Sequence, residues 1–201
     1  MKKLLISVLA ILLSLSLISC STKKSGNDKV KIDEKTNTVT VIISSKFFDL
    51  MNSNSFSSTQ TPEQYCLTME KEGSVSKAVV NEDGSVTLTM SKENYDKLLS
   101  TMKTSLDQTI AGYTNGTTFP SIKEITYTDD LSEIKLTVDY EAFTNSMGSF
   151  AILGLGLQGY LYRIFTGQSE TVKITYIDET TGKSVESCQF PDDMKKVLNQ
   201  Y

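Results

Sequence analysis

The stretch Val75-Ser76-Lys77-Ala78-Val79-Val80-Asn81-Glu82-Asp83-Gly84-Ser85-Val86-Thr87-Leu88-Thr89-Met90-Ser91 reads as a β-hairpin that runs straight into a helix cap. Val86, Leu88 and Met90 alternate with Thr87 and Thr89, the period of a half-buried strand. Asn81-Glu82-Asp83-Gly84 supplies the turn chemistry between the two arms. Ser91 then offers a side-chain oxygen to the orphan N–H groups of a following helix. Two more hairpins share the pattern: Ile122–Thr128 with Glu133–Val138 around Asp129-Asp130-Leu131-Ser132, and Val172–Ile177 with Lys183–Phe190 around Asp178-Glu179-Thr180-Thr181-Gly182. A fainter copy pairs Val30–Asp33 with Thr38–Ile43 across Glu34-Lys35-Thr36-Asn37.

The strand-to-helix junctions superpose as Val39-Thr40-Val41-Ile42-Ile43-Ser44, Val86-Thr87-Leu88-Thr89-Met90-Ser91 and Ile134-Lys135-Leu136-Thr137-Val138-Asp139. Phe190-Pro191-Asp192-Asp193 makes a fourth junction with proline in the first helical turn. The expectation is an α+β domain over 30–201 built from about four ββα-like units, 30–52, 74–113, 121–166 and 171–201. A helical insertion at 61–73 opens on Thr61-Pro62-Glu63-Gln64 with capping-box spacing and ends at Gly73. Alternation predicts an antiparallel sheet with helices packed on one face. Its second, wet face carries Thr38, Thr40, Thr87, Thr89, Thr137 and Thr175. That hydroxyl-bearing face is a candidate surface for a glycan or protein partner.

Composition narrows the chemistry. The 201 residues include 20 basic and 24 acidic side chains and no histidine. Without imidazole, His-based triads, Cys-His dyads and HExxH metal sites are unavailable. A net charge of −4 and a pI near 5.0 argue against nucleic acid as partner, because phosphate neutralisation needs clustered cations. No metal and no cofactor is expected.

At the N-terminus, Lys2 and Lys3 precede the apolar run Leu4 to Leu17, which is too short to span a bilayer comfortably and reads as a signal peptide over 1–19. It ends in Leu17-Ile18-Ser19-Cys20, which resembles the lipobox of bacterial lipoproteins. The resemblance implies cleavage before Cys20 and diacylglyceryl attachment to its thiol, with membrane anchoring on the extracytoplasmic face. Two acyl chains suffice for stable anchoring. Loss of Lys2 and Lys3 would leave 18 basic against 24 acidic groups, a charge of −6. Residues 20–29 are small and polar and read as the lipidated cysteine followed by a flexible tether. The general style is similar to small lipoproteins of Gram-positive bacteria. In a Gram-negative host, Ser21 after the cysteine would direct the protein to the outer membrane.

The most unusual element is a helix expected over about Glu141 to Phe165. Phe143, Met147, Phe150, Gly154, Leu157, Leu161 and Ile164 step by fours and threes, and Ile152, Leu153, Leu155, Tyr160 and Tyr162 make its other side apolar too. Such a helix wants burial on both sides. Gly148, Gly154, Gly156 and Gly159 lower its propensity, which suggests close approach of neighbouring backbones. A central core helix is the first reading. An interaction helix using Phe150, Leu153, Leu157, Tyr160 and Leu161 is the second. Gly154-Leu155-Gly156-Leu157-Gln158-Gly159 has dinucleotide-fingerprint spacing but lies within helical periodicity rather than at a strand-to-helix turn, so it is discounted.

Cys66 and Cys188 read as buried thiols, with a bridge between them as the alternative. Acidic pairs Glu82-Asp83, Asp129-Asp130 and Asp178-Glu179 sit in turns, where Asp bonds nearby backbone N–H groups. The functional expectation is a non-enzymatic, membrane-anchored binding module. The alternatives are an envelope hydrolase using carboxylates or a Ser/Lys pair, and a small solute-binding component.

Overall fold

The computed structural model describes residues 29–53 and 60–194. The expected signal peptide, Cys20 and the expected tether up to residue 28 lie outside the described residues, as do 54–59 and 195–201.

Thirteen elements follow one another: β1 (Val30–Asp33), β2 (Thr38–Ile43), α1 (Ser45–Met51), α2 (Pro62–Lys71), β3 (Lys77–Val80), β4 (Val86–Ser91), α3 (Lys92–Tyr113), β5 (Ile122–Tyr127), β6 (Glu133–Val138), α4 (Tyr140–Thr144), α5 (Gly148–Phe165), β7 (Val172–Asp178) and β8 (Ser184–Phe190). They form an α+β fold with two four-stranded sheets, ordered β1-β2-β4-β3 and β5-β6-β7-β8. The expected single antiparallel sheet is therefore corrected in two respects. Among the described residues there are two sheets, and in the second β6 and β7 run parallel, Glu133 beside Lys173 through Val138 beside Asp178. A parallel neighbour needs a long crossover, which α4 and α5 supply between those strands. In the first sheet the second hairpin instead returns with β4 antiparallel to β2, Val39 opposite Met90 and Val41 opposite Leu88.

The alternation predicted from sequence sets which face is buried. Val39, Val41 and Ile43 on β2, Val86, Leu88 and Met90 on β4, and Ile134, Leu136 and Val138 on β6 are fully buried. Thr38, Thr40, Thr87 and Thr89 lie on the opposite, partly exposed face. Thr175 departs from the pattern. It is buried, and its hydroxyl donates to Glu133 at 3.0 Å within a charged ladder that includes Lys173 and Lys135.

Helix starts follow their caps. Ser91 accepts from the Asn94 N–H at 3.1 Å and Asp139 from the Ala142 N–H at 3.1 Å. Thr61 and Gln64 make the reciprocal capping box of α2, which ends before Gly73 at φ 71°. Two starts lack a side-chain cap: Met147 before α5 has no oxygen to offer, and the Ser44 hydroxyl before α1 donates to Glu170 instead.

The long helix expected from Glu141 is two helices, with a break at 145–147. The Phe143 ring folds back over Gly148, where a Cβ would lie 2.5 Å from it. α5 packs against α3, against β2 of the first sheet and against β7 and β8 of the second. Ala151, Ile152, Leu155, Tyr160, Ile164 and Phe165 are all buried. The glycines do admit close neighbours, but those are side chains rather than backbones. A Cβ at Gly156 would sit 2.4 Å from the Phe190 ring, one at Gly154 2.5 Å from the Tyr113 hydroxyl, and one at Gly159 3.1 Å from Val172.

Two alanine substitutions should therefore move stability in opposite directions. Gly156→Ala forces Phe190 off its seat and should cost about 1–3 kcal/mol despite its gain in helix propensity. Gly112→Ala, where a Cβ meets nothing within 4 Å, should stabilise by up to about 1 kcal/mol in the same urea titration.

Candidate functional site

The central helix organises the polar chemistry of the molecule at its C-terminal end and leaves apolar side chains open at its N-terminal end. At the C-terminal end Arg163, the only arginine in the sequence, is buried. A buried guanidinium must have its donors satisfied. Nε donates to the Ser169 carbonyl at 2.8 Å. Nη1 donates to the Asp130 carbonyl at 2.8 Å, to Gln168 Oε1 at 2.7 Å and, more loosely, to Asp130 Oδ2 at 3.3 Å. The Asp130 carboxyl is held well below the usual carboxylate range, first by the Ser132 hydroxyl and N–H and then by the Thr128 hydroxyl and Arg163.

Seven residues on, Glu170 forms a second node in the α5–β7 connection. Its carboxylate accepts from the Ser44 hydroxyl at 2.8 Å and the Tyr160 hydroxyl at 3.5 Å, and it pairs with the Lys29 ammonium. Its side chain is only 12% exposed. Burial, reinforced by the neighbouring Glu170 charge, pushes the Tyr160 phenol up, so it stays a neutral donor. The node joins the N-terminal edge of the first sheet, the end of β2 and the central helix.

The five residues of the expected interaction helix separate in space. Tyr160 is 1% exposed, its ring edge-on to Phe190 at 5.8 Å, so it is not a surface residue. Position 160 lies on the glycine-bearing side of α5 that β8 covers. Leu153, Leu157 and Leu161 are half-buried and pack against the core. Phe150 alone is open, 52% exposed, with Met147 beside it at 65%. Gly154 through Gly159 lie inside α5, so the fingerprint spacing has no strand-to-helix turn in which to cradle a pyrophosphate.

The acidic turn residues behave as turn residues. Asp33, Asp83, Asp130 and Asp178 each accept a backbone N–H two or three positions ahead, from Lys35, Ser85, Ser132 and Thr181. The hydroxyls of Ser85, Ser132 and Thr181 foremost, with these N–H groups next, hold the Asp83, Asp130 and Asp178 carboxyls below their ordinary value, and the Lys35 N–H does the same for Asp33. Among the described residues no group of three or more His, Cys, Asp or Glu is placed to hold a metal, and no helix is long and apolar enough to cross a membrane. Cys66 on α2 and Cys188 on β8 are both buried and do not form a disulfide, and Cys188 lies 3.4 Å from the Tyr176 hydroxyl.

The described surface also carries depressions near its helices and its sheet edges. A cleft of about 240 Å³ between the end of α2 and α3 is lined by Glu72, Ser74, Asn94, Lys97, Leu98 and Thr101. A wider, open depression of about 670 Å³ lies by Ile42, Asn81, Asp83 and Thr87 at the edge of the threonine-bearing face. Sequence reasoning missed the Glu170 node. The available signal was a lone arginine in an otherwise apolar helix, which marks a polar cluster at that helix's end.

Compared with known protein families, curated proteins and solved structures, the chain matches none.

The carboxyls of Asp33, Asp83, Asp130 and Asp178 are depressed in the folded state. Their stabilisation is present above about pH 4, the unfolded carboxylate value, and is lost as pH falls through their folded values. Circular dichroism at fixed mild urea should show unfolding on acidification below about pH 4. Asp130→Asn, which cannot ionise, should be less stable at neutral pH and should lose less on acidification than the wild type.

Proposed function

We propose that the protein is a membrane-anchored extracytoplasmic lipoprotein that acts as a binding module. Leu17-Ile18-Ser19-Cys20 carries the anchoring half of this reading, with Cys20 as the lipidated residue and residues 20–28 as the tether, since Lys29, expected to be its last residue, is held by Ile42 and Glu170. The binding half rests on the apolar pair Met147 and Phe150, exposed at the end of α5 remote from Lys29. α5 has 18 residues, so at 1.5 Å per residue its two ends are about 27 Å apart. Val30 packs against Gly167 just past the C-terminal end of that helix, so the tether would enter at one pole while the apolar pair faces the other. That placement suits capture of an envelope protein away from the bilayer. The threonine-bearing faces offer the hydroxyls a glycan partner would need.

The body is also read as a duplicated ββα unit. Supporting this, three of the hairpin turns carry the same bond from an N–H two residues ahead to an Asp, the fourth takes its N–H three residues ahead, and the second and third units pass from strand to helix through an equivalent cap.

Two measurements test the function. Cys20→Ala should shift the protein from the membrane fraction to the soluble extracytoplasmic fraction, and intact mass spectrometry of the native protein should show a diacylglyceryl adduct on residues 20–201. A photoreactive phenylalanine at position 150 should crosslink to an envelope protein in intact cells, while one at exposed Leu67 on α2 should not. Retention of Cys20→Ala in the membrane would refute the anchor. Equal adducts from both positions would refute the pole as a binding surface.

A further inference from the structure

We infer that Glu170 is a latch that fastens the root of the N-terminal tether to the end of the central helix, an inference that rests on the anchoring reading for its purpose.

β1 is the element least able to hold itself. It is an edge strand of four residues, three of them exposed, and β2 is its sole strand neighbour. In the antiparallel pairing of β1 and β2, Val30 faces Val41 and Asp33 faces Thr38, so tension applied from the N-terminus peels the pair from the Lys29 end. Each ladder bond then breaks in turn rather than sharing the load.

The reinforcement is concentrated at that first position. The Lys29 carbonyl accepts the Ile42 N–H at 2.7 Å, the Lys29 ammonium pairs with Glu170, and the Val30 methyl lies where a Cβ on Gly167 would come within 3.1 Å. Glu170 is itself held from two further elements, by Ser44 at the end of β2 and by Tyr160 in α5. Ser44 forgoes its cap bond to α1 to make this contact, although side-chain caps are worth about 1 kcal/mol to a helix. The carboxylate thus connects the point where force would enter to the most deeply buried helix of the molecule, bypassing the four-residue strand.

Hydrogen exchange on the full-length protein in detergent micelles tests the latch. Glu170→Gln removes the charge while keeping the shape, and Lys29→Met removes the partner charge. Both should accelerate exchange of the Ile42, Thr40 and Lys31 amides about tenfold, the size expected when a charge-assisted contact is lost from a locally opening segment. Amides of Leu136 and Ile174 in the second sheet should stay within about twofold of wild type, because they open only with the whole fold. Unchanged exchange at Ile42 and Thr40 would overturn the latch. So would equal acceleration in both sheets, which would make Glu170 a contributor to global stability only. The same measurement on Cys20→Ala separates the two readings, since the latch should protect β1 whether or not the chain carries lipid.

Discussion

A helix that is apolar on every side has to be covered on every side, and the architecture follows from satisfying α5 (Gly148–Phe165). Leaving one face of Ile152, Leu155, Tyr160 or Ile164 in water would forfeit roughly 1.5–3 kcal/mol for each large side chain. One sheet has only one inner face to offer. Burial of α5 is met by contacts with β2 in the first sheet and β7 and β8 in the second, with α3 alongside. Glycines at 154, 156 and 159 thin the helix so that Tyr113, Phe190 and Val172 fit into its surface. The cost in helix propensity is about 1 kcal/mol per glycine, and each of these aromatic or branched side chains buries enough area to offset it.

The same demand accounts for the difference between the two halves of the chain. In the second half, the residues joining β6 to β7 contain the helix that must be buried, and a crossover long enough to hold it delivers β7 parallel to β6. In the first half, α1 and α2 are short and β4 returns antiparallel to β2. α2 packs against the edge strand β3, and Glu70 on that helix accepts the Ala78 N–H at 2.8 Å. On β8, Asp193 similarly accepts the Gln189 N–H and returns its own N–H to the Gln189 carbonyl. Edge strands with open donors invite pairing with other chains, and local carboxylates occupy some of those donors.

Much of this was legible in the sequence because it depends on neighbours a few residues away. The period-two runs at 86–90 and 134–138, the caps at Ser91 and Asp139, the capping box at Thr61 and the aspartate-centred turns all rest on local bonds, and each takes the form its residues dictate. The all-round apolarity of 150–165 likewise announced a buried helix. What was not legible depends on distant partners. Whether β7 joins β6 parallel or antiparallel is decided by where α5 is buried, which no short window contains. At the break over 145–147 the Phe143 ring folds onto Gly148. Tyr160, on the other side of the helix from the Phe150 stripe, is covered because β8 lies over it, and all-round apolarity has no means of distinguishing a covered side from an open one. Of the candidate site, Phe150 remains at the surface and Tyr160 does not.

Arg163 and Glu170 show how the polar residues complete what the apolar ones begin. Burying α5 carries its C-terminal end into a region where the last carbonyls and the following turn need partners. Arg163 supplies four donor contacts there, fixing the turn 166–169 against the Asp130 hairpin. That fixed turn determines where Glu170 lies, and Glu170 in turn collects Ser44, Tyr160 and Lys29 from three places in the chain. Replacing such a cluster with hydrocarbon could preserve stability, but it would not specify which edge of the first sheet meets which end of the helix. The charged groups therefore set the registration between the two sheets, and through Lys29 they set the direction in which the chain leaves the fold. Lys29 is thereby fixed beside the C-terminal end of α5, while Met147 and Phe150 are exposed at its N-terminal end.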